Sequence, residues 1–192
     1  MKANILYPRL TSTTALVVGH NSKDKGAINF LGEYEYDFNL RIAKKVRELI
    51  NIPVVLRPPI KSYSKQVRAV ADACLKLNVK HTIHLHFNSF NKRSQGVEVL
   101  IRNTDNYIDN EIAEFFVSEI NKHFGIQSRG VKEISSGHSG YKMLDTISAV
   151  GILSMIVEPV FGDSKSSKDF FMIEDKYVNI LCETINRYGL HR

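Results

Sequence analysis

The sequence predicts an α/β fold of three layers, in which helices flank a largely parallel central sheet of about six strands. Two observations lead to this prediction. Short apolar runs typical of buried strands alternate with longer segments whose apolar residues recur every three or four positions. The chain has 192 residues, of which 43% are hydrophobic and 24% charged, as in ordinary globular domains. We therefore expect residues 1–192 to form a single domain.

The first half of the chain contains three predicted strands and two predicted helices. The strands are short and apolar, and the first stops at Gly19 and His20. Each helix has one apolar face that recurs at helical spacing. The strands are predicted at residues 15–18, 54–56 and 79–87, and the helices at residues 35–50 and 67–77.

The second half continues the alternation of strands and helices. A strand is expected at residues 96–101, followed by a helix whose C-terminal cap is Gly125. Serine, glycine and charged residues predict a loop at residues 128–140. The remaining elements are a helix at 108–124, a short strand at 141–144, a strand at 152–157 and a closing helix at 168–188.

Composition and charge limit the class of function. The formal net charge is +6 and the pI about 9.3, which favours a polyanionic environment such as a cell wall. Interleaved basic and aromatic clusters are missing, so nucleic acid is not expected as a partner. No apolar stretch approaches about 18 residues, so membrane insertion is not expected. The N-terminal apolar run is too short for a signal peptide, so none is expected either. Cys74 and Cys182 are expected to be buried thiols.

Polar side chains follow the predicted strands at the point where each strand ends. His20 follows the first strand, His86 lies at the end of the third, and Glu158 follows the last, while Glu33 and Glu35 open the first helix. Parallel strands place such residues on one edge of the sheet. Hydrolytic zinc sites use three protein ligands of these types and keep a fourth position for water. Ordinary surface or core histidines and helix-terminal glutamates remain the alternative.

Seven short motifs occur in an order that matches one enzyme family. They are Gly19-His20, Gly26-Ala27, Glu35 with Asn39, His86-Phe87-Asn88, residues 96–99, residues 129–132, and Val157-Glu158 with Phe161. In this order the motifs resemble the zinc-dependent N-acetylmuramoyl-L-alanine amidases of type 3, found in bacterial autolysins and in the catalytic domains of phage endolysins.

The resemblance implies a role for four residues. It makes His20, Glu35 and His86 ligands of Zn²⁺, and Glu158 the catalytic glutamate. Glu35 is preferred over Glu33 because it stands four residues before an asparagine, as in the family. The Asp-Pro that usually precedes the first Gly-His of the family is missing here.

Two further histidines have open interpretations. His84 shares a strand face with His86, and it would bind metal, support the site or lie in a polar layer. His138 is flanked by serine and glycine, and it would border the cleft or lie in a solvated loop. His81, His123 and His191 are assigned no role.

The activity that the resemblance implies is hydrolysis of the amide between N-acetylmuramic acid and L-alanine in peptidoglycan. The expected protein is a phage endolysin with a single catalytic domain and no separate wall-binding domain, and the alternative setting is a bacterial autolysin exported without a conventional signal peptide. It would be synthesised in the host cytoplasm and reach the wall after release. The alternatives are a zinc peptidase that cuts within the stem peptide and an inactive peptidoglycan-binding module. The sequence makes no prediction of the oligomeric state.

Overall fold

The computed structural model describes residues 3–6, 13–103 and 106–188, and within them seven strands form one mixed sheet. The strands are β1 Asn4–Leu6, β2 Thr14–Val18, β3 Val54–Leu56, β4 His81–Leu85, β5 Val97–Ile101, β6 Ser128–Glu133 and β7 Leu153–Glu158. The helices are α1 Glu35–Ile50, α2 Tyr63–Lys76, α3 Tyr107–Phe124, α4 Tyr141–Ser148, α5 Lys168–Met172 and α6 Glu174–Tyr188, with a short 3₁₀ turn at Lys165–Ser167.

The strands lie in the order β1-β3-β2-β4-β7-β5-β6. Four neighbouring pairs are parallel, whereas β1 runs antiparallel to β3 and β5 runs antiparallel to β7. The predicted α/β class and the largely parallel sheet are confirmed. None of the described helices combines the length and apolar character needed to cross a membrane.

Helices cover both faces of the sheet, as predicted. Leu16 and Val18 of β2 pack into a core with α1, α3, α5 and α6. Ala15 and Val17 point to the opposite face and pack with α2 and α4. Successive residues of this strand are therefore buried on opposite sides, which explains its unbroken apolar run. Cys74 and Cys182 are both buried as free thiols.

Two predictions in the second half of the chain are wrong. Residues 128–133 form β6 rather than a loop, and residues 141–144 begin helix α4 rather than a strand. Strand β6 lies at the sheet edge and none of its residues is buried, so its sequence lacks the apolar signal of a core strand. The closing helix is also divided, because α5 ends at Met172 and α6 begins at Glu174.

The register of three central strands brings their carboxyl ends side by side. Val18 of β2 pairs with Leu85 of β4, and Leu85 pairs with Val157 of β7. All three strands are parallel, so the residues that follow these positions emerge at the same edge. His86 directly follows Leu85, Glu158 directly follows Val157, and His20 lies two residues after Val18.

Candidate metal centre and cleft

Three predicted site residues lie in one small cluster. One ligand atom from each of His20, Glu35 and His86 lies within 4.8 Å of the other two, and these three form the one such group found in the described part of the chain. His20 and His86 come from the carboxyl edge of the sheet, while Glu35 is the first residue of α1. The structure therefore brings together the three side chains that the family resemblance implies as metal ligands.

Glu35 stands between the two imidazoles. Its Oε1 lies 2.8 Å from Nδ1 of His86, and its Oε2 lies 3.2 Å from Nε2 of His20. The backbone N–H groups of Phe87 and Ala27 donate to the same two oxygens, each at 3.2 Å. Only 3% of Glu35 is exposed, so these contacts fix the orientation of a carboxylate that water hardly reaches.

The charge states of this cluster follow from burial and hydrogen bonds. Burial raises the pKa of Glu35, but hydrogen bonds with His20 and His86 outweigh it and bring the pKa to about 2. Burial also lowers the pKa of His86 against the opposing effect of Glu35. A deprotonated carboxylate beside a neutral imidazole is the form in which both groups bind metal ions.

Two glycines leave the space that the cluster occupies. A Cβ on Gly26 would lie 2.5 Å from Cδ2 of His20 and 2.7 Å from Oε2 of Glu35. A Cβ on Gly19 would lie 2.4 Å from the carbonyl oxygen of Leu85. Neither position accepts a side chain without displacing its neighbours, and Gly26 also has a φ of +74°.

Glu158 ends β7 and lines the same cleft as the three clustered residues. The cleft has a volume of about 720 Å³. Oε2 of Glu158 is shielded from water and has no hydrogen-bond partner among the described residues. Burial, and then the negative charges of Glu35 and Glu98, raises the pKa of Glu158 well above its usual value. The structure thus provides a carboxyl group that binds a proton firmly beside the His–Glu–His cluster.

Glu98 is a neighbour of the cleft to which the sequence analysis assigned no role, although it lies in the motif at residues 96–99. It lies directly opposite Glu158 in the antiparallel β5–β7 ladder. Nδ2 of Asn88 donates to it at 2.7 Å, Nε of Arg129 donates at 2.6 Å, and Lys132 also binds it. The motif at residues 96–99 pairs with the motif at residues 129–132 in neighbouring strands. This pairing could not be predicted from the sequence, because it depends on the order of the strands in the sheet.

Arg57 is a second residue that the sequence analysis missed. Its Nε donates to the carbonyl oxygen of His20 at 2.9 Å, and its guanidinium lies 5.5 Å from the ring centre of Tyr63. Arg57 and Tyr63 both line the cleft. The available signal was positional, because Arg57 follows β3 in the same way that His86 follows β4.

The competing glutamate and histidine have structural roles. Glu33 is paired with Arg41 on the surface, 2.9 Å between Oε2 and Nη2, so Glu35 rather than Glu33 meets the imidazoles. His84 is buried, its Nε2 lies 3.1 Å from Oγ1 of Thr82, and burial lowers its pKa to about 3. His84 does not line the cleft, which argues against direct metal binding and leaves the supporting and the polar-layer interpretations.

Of the other histidines that the structure describes, one borders the cluster and two lie apart from it. His138 lines the cleft, and its Nδ1 accepts a hydrogen bond from the N–H of Gly140. His81 is buried and stacks on Tyr188, with ring centres 4.2 Å apart. His123 contacts Glu119 on α3. His191 lies outside the described residues.

Comparisons with known proteins agree on one family. A sequence model of the family described as N-acetylmuramoyl-L-alanine amidase matches residues 15–186. A search of curated protein sequences found no significant match.

Solved structures show the same fold at low sequence identity. An N-acetylmuramoyl-L-alanine amidase from Clostridium difficile 630 is 21% identical with a TM-score of 0.72, covering 93% of this chain and 97% of its own. The amidase AmiC2 of Nostoc punctiforme is 20% identical with a TM-score of 0.71, covering 94% and 99%. The catalytic domain of the CD27L endolysin targeting Clostridia difficile is 18% identical with a TM-score of 0.72, covering 90% and 95%.

Proposed function

Because the chain belongs to the N-acetylmuramoyl-L-alanine amidase family, we propose that it uses zinc to hydrolyse the amide between N-acetylmuramic acid and L-alanine in peptidoglycan. The observation that carries the proposal is the convergence of His20, Glu35 and His86 in a cleft that Glu158 also lines. The three residues would hold the zinc ion, and Glu158 would act on the substrate.

The donor set fits the proposed metal. Two imidazoles and one carboxylate are a ligand set of hydrolytic zinc centres, which keep a further position for water. The bare backbone of Gly26 supports this fit, because any side chain there would press on His20 and Glu35. A bound zinc ion would supply Lewis acidity and lower the pKa of a water molecule at the site.

Glu158 carries the proton transfers in this proposal. Its carboxylate would accept a proton from the attacking water and deliver it to the nitrogen of the leaving L-alanine. The raised pKa of Glu158 makes its carboxylate a stronger base for the first step. The positive charge of a bound zinc ion would favour the deprotonated form in which that step begins. Leu100, Met143 and Ile156 line the cleft and supply an apolar wall around the reacting bond.

Digestion of purified peptidoglycan tests the proposal directly. We expect lytic activity that is lost on chelation and restored by added zinc, with new N-termini at L-alanine identified by mass spectrometry. New termini within the stem peptide would instead establish the peptidase alternative. Binding to peptidoglycan without bond cleavage, with zinc present, would establish the inactive binding module.

Substitution of Glu158 separates proton transfer from metal binding. We expect Glu158→Gln to fold and bind zinc normally while its kcat falls by about 10²- to 10⁴-fold. The matched control is Glu33→Gln, which alters a glutamate that pairs with Arg41 on the surface. Wild-type activity in Glu158→Gln, with zinc content unchanged, would contradict the assigned role.

The biological setting that we propose is phage-induced lysis. Its support is the similarity to the catalytic domain of an endolysin, together with the net charge of +6, which suits an anionic wall. The protein would be made in the host cytoplasm and reach the wall once another protein opens the membrane. Expression in the host should therefore cause lysis only when the membrane is permeabilised, and lysis without permeabilisation would contradict this setting.

A further inference from the structure

A second depression, here called the basic groove, adjoins the cleft at the carboxyl edge of the sheet. Its volume is about 690 Å³. Three loops form it, and the lining residues that matter here are Ile28, Asn29, Lys92, Arg93, Asp163 and Lys165.

The basic groove continues from the cleft along two of these loops. Ala27 lines the cleft and the next residue, Ile28, lines the groove. Ser89 lines the cleft and Lys92 lines the groove three residues later. Only a few residues of each loop separate the groove from the cleft. A polymer bound with one of its bonds in the cleft would therefore also contact the groove.

Hydrogen bonds hold the groove loops in place. Oδ2 of Asp163 accepts from the backbone N–H groups of Phe90 at 3.2 Å and Lys92 at 2.9 Å. Oδ1 of Asn91 accepts from the N–H of Arg93 at 3.0 Å. These bonds tie the loop after β4 to the loop after β7, so the cations of the groove stand on a fixed backbone.

The charge of the groove is positive and not neutralised. Lys92, Arg93 and Lys165 are exposed, and none of them forms a salt bridge with a described carboxylate. Asp163 is the one acidic residue among the described residues that line the groove. Three cations against one anion leave a surface that attracts carboxylates or phosphates.

Two polar atoms of the lining residues have no partner within the described chain. Asn29 is only 3% exposed and its Nδ2 donor is unpaired, although its Oδ1 accepts from Leu31 and Glu33. Oδ1 of Asp163 is an unpaired acceptor. Buried polar groups are nearly always hydrogen-bonded, so ordered water enclosed by the loops is expected to complete these two atoms.

We propose that the basic groove binds the stem peptide of peptidoglycan, with its cations on the peptide carboxylates. This inference rests on the proposed function, because it places the scissile amide in the adjoining cleft. Of the two arms that leave that amide, the N-acetylated glycan is uncharged, whereas the peptide carries free carboxylates.

The test measures binding of the free stem peptide, so it does not depend on catalysis. Amide shifts of ¹⁵N-labelled protein are followed as a synthetic stem peptide is added, either with free carboxylates or with every carboxylate amidated. The groove variant is Lys92→Gln with Arg93→Gln and Lys165→Gln. The matched control, with the same loss of charge, is Arg68→Gln with Lys76→Gln and Lys80→Gln, at exposed positions on and after α2.

We expect the free-carboxylate peptide to shift the amides of the groove loops and to bind at least about fivefold more tightly than the amidated peptide. The groove variant should lose this preference and the control should keep it. Equal affinities for the two peptides, or a groove variant that behaves like the control, would overturn the proposal.

A comparison of two wall preparations identifies a competing ligand. If the groove variant hydrolyses peptidoglycan stripped of anionic polymers as well as the control does, but hydrolyses unstripped wall poorly, the groove binds wall-polymer phosphates and the proposal is wrong. Wild-type protein that binds the peptide at the groove but cuts no amide would refute the proposed function and leave the groove assignment standing.

Discussion

Gly26 decides whether the side chains of the His–Glu–His cluster can occupy their positions. The backbone of this residue lies against His20 and Glu35, and no other residue type offers the same clearance. Gly32 has a similar positive φ of +87°, but an added Cβ there would meet nothing within 4 Å. The two glycines thus share a backbone requirement and differ in what surrounds them.

Alanine at these two positions should separate strain from metal binding. Gly32→Ala should lose about 1 kcal/mol of stability, because it places a side chain at positive φ, and Gly26→Ala should lose more, because its Cβ also meets His20 and Glu35. Only Gly26→Ala should also lose zinc, since its Cβ displaces His20 and Glu35. Elemental analysis of zinc per protein, with thermal unfolding alongside, checks this. Equal zinc content in the two variants would show that Gly26 does not shape the metal site.

At the scale of helices and strands, the sequence predicted the elements that are buried. Strand β2 has apolar residues on both faces and was found by composition alone. Strand β6 was missed because it is exposed, contains Gly130 at a φ of +78°, and pairs with β5 through a register shift. Exposure and a bulge both remove the alternation on which strand prediction depends.

The residues of the candidate site were predictable where they adjoin a buried strand. His20, His86 and Glu158 each adjoin a buried parallel strand, so strand ends alone indicated them. Glu98 was not predictable in this way, because it faces Glu158 only through the antiparallel pairing of β5 with β7. That pairing joins strands far apart in sequence, and no local pattern encodes it.

Helices α3 and α6 are joined by a buried hydrogen bond with a consequence for pH. Oη of Tyr188 donates to Oδ1 of Asp109 at 2.8 Å. Burial raises the pKa of Asp109 to about 6, although the bond from Tyr188 opposes this. The folded protein therefore holds the proton more tightly than the unfolded chain, in which the pKa is near 3.8. The contribution of Asp109 to the free energy of unfolding is therefore fully present below about pH 4, and it is lost as the pH rises to about 6.

Asp109→Asn should remove this pH dependence while keeping an oxygen that accepts from Tyr188. The free energy of unfolding of the variant minus that of wild type should rise by up to about 3 kcal/mol as the pH increases from 4 to 7. Urea unfolding of metal-free protein at several pH values measures the difference. A difference that stays constant over this range would mean that Asp109 titrates normally in the folded protein.

The molecule as a whole carries a formal charge of +6, which we expect to aid its attachment to anionic walls. Glu158→Gln allows attachment to be measured without digestion. Raising the salt from about 0.05 M to about 0.5 M should reduce the wall-bound fraction steeply, because screening shortens the range of the attraction. Walls stripped of anionic polymers serve as the control. Binding that is independent of salt on intact walls would show that charge has no part in attachment.

The reversed direction of β5 also bears on how such a protein diversifies. Strand β5 is antiparallel to β7, so the chain leaves β4 and enters β5 at the same edge of the sheet. No crossover therefore constrains the length of the segment from Ser89 to Gln95, which lies beyond the clustered His86. Insertions or exchanges in this segment would leave the strand order intact while altering the rim beside the cleft. Grafting segments of different lengths here would test whether this rim sets the wall specificity while the His–Glu–His cluster stays unchanged.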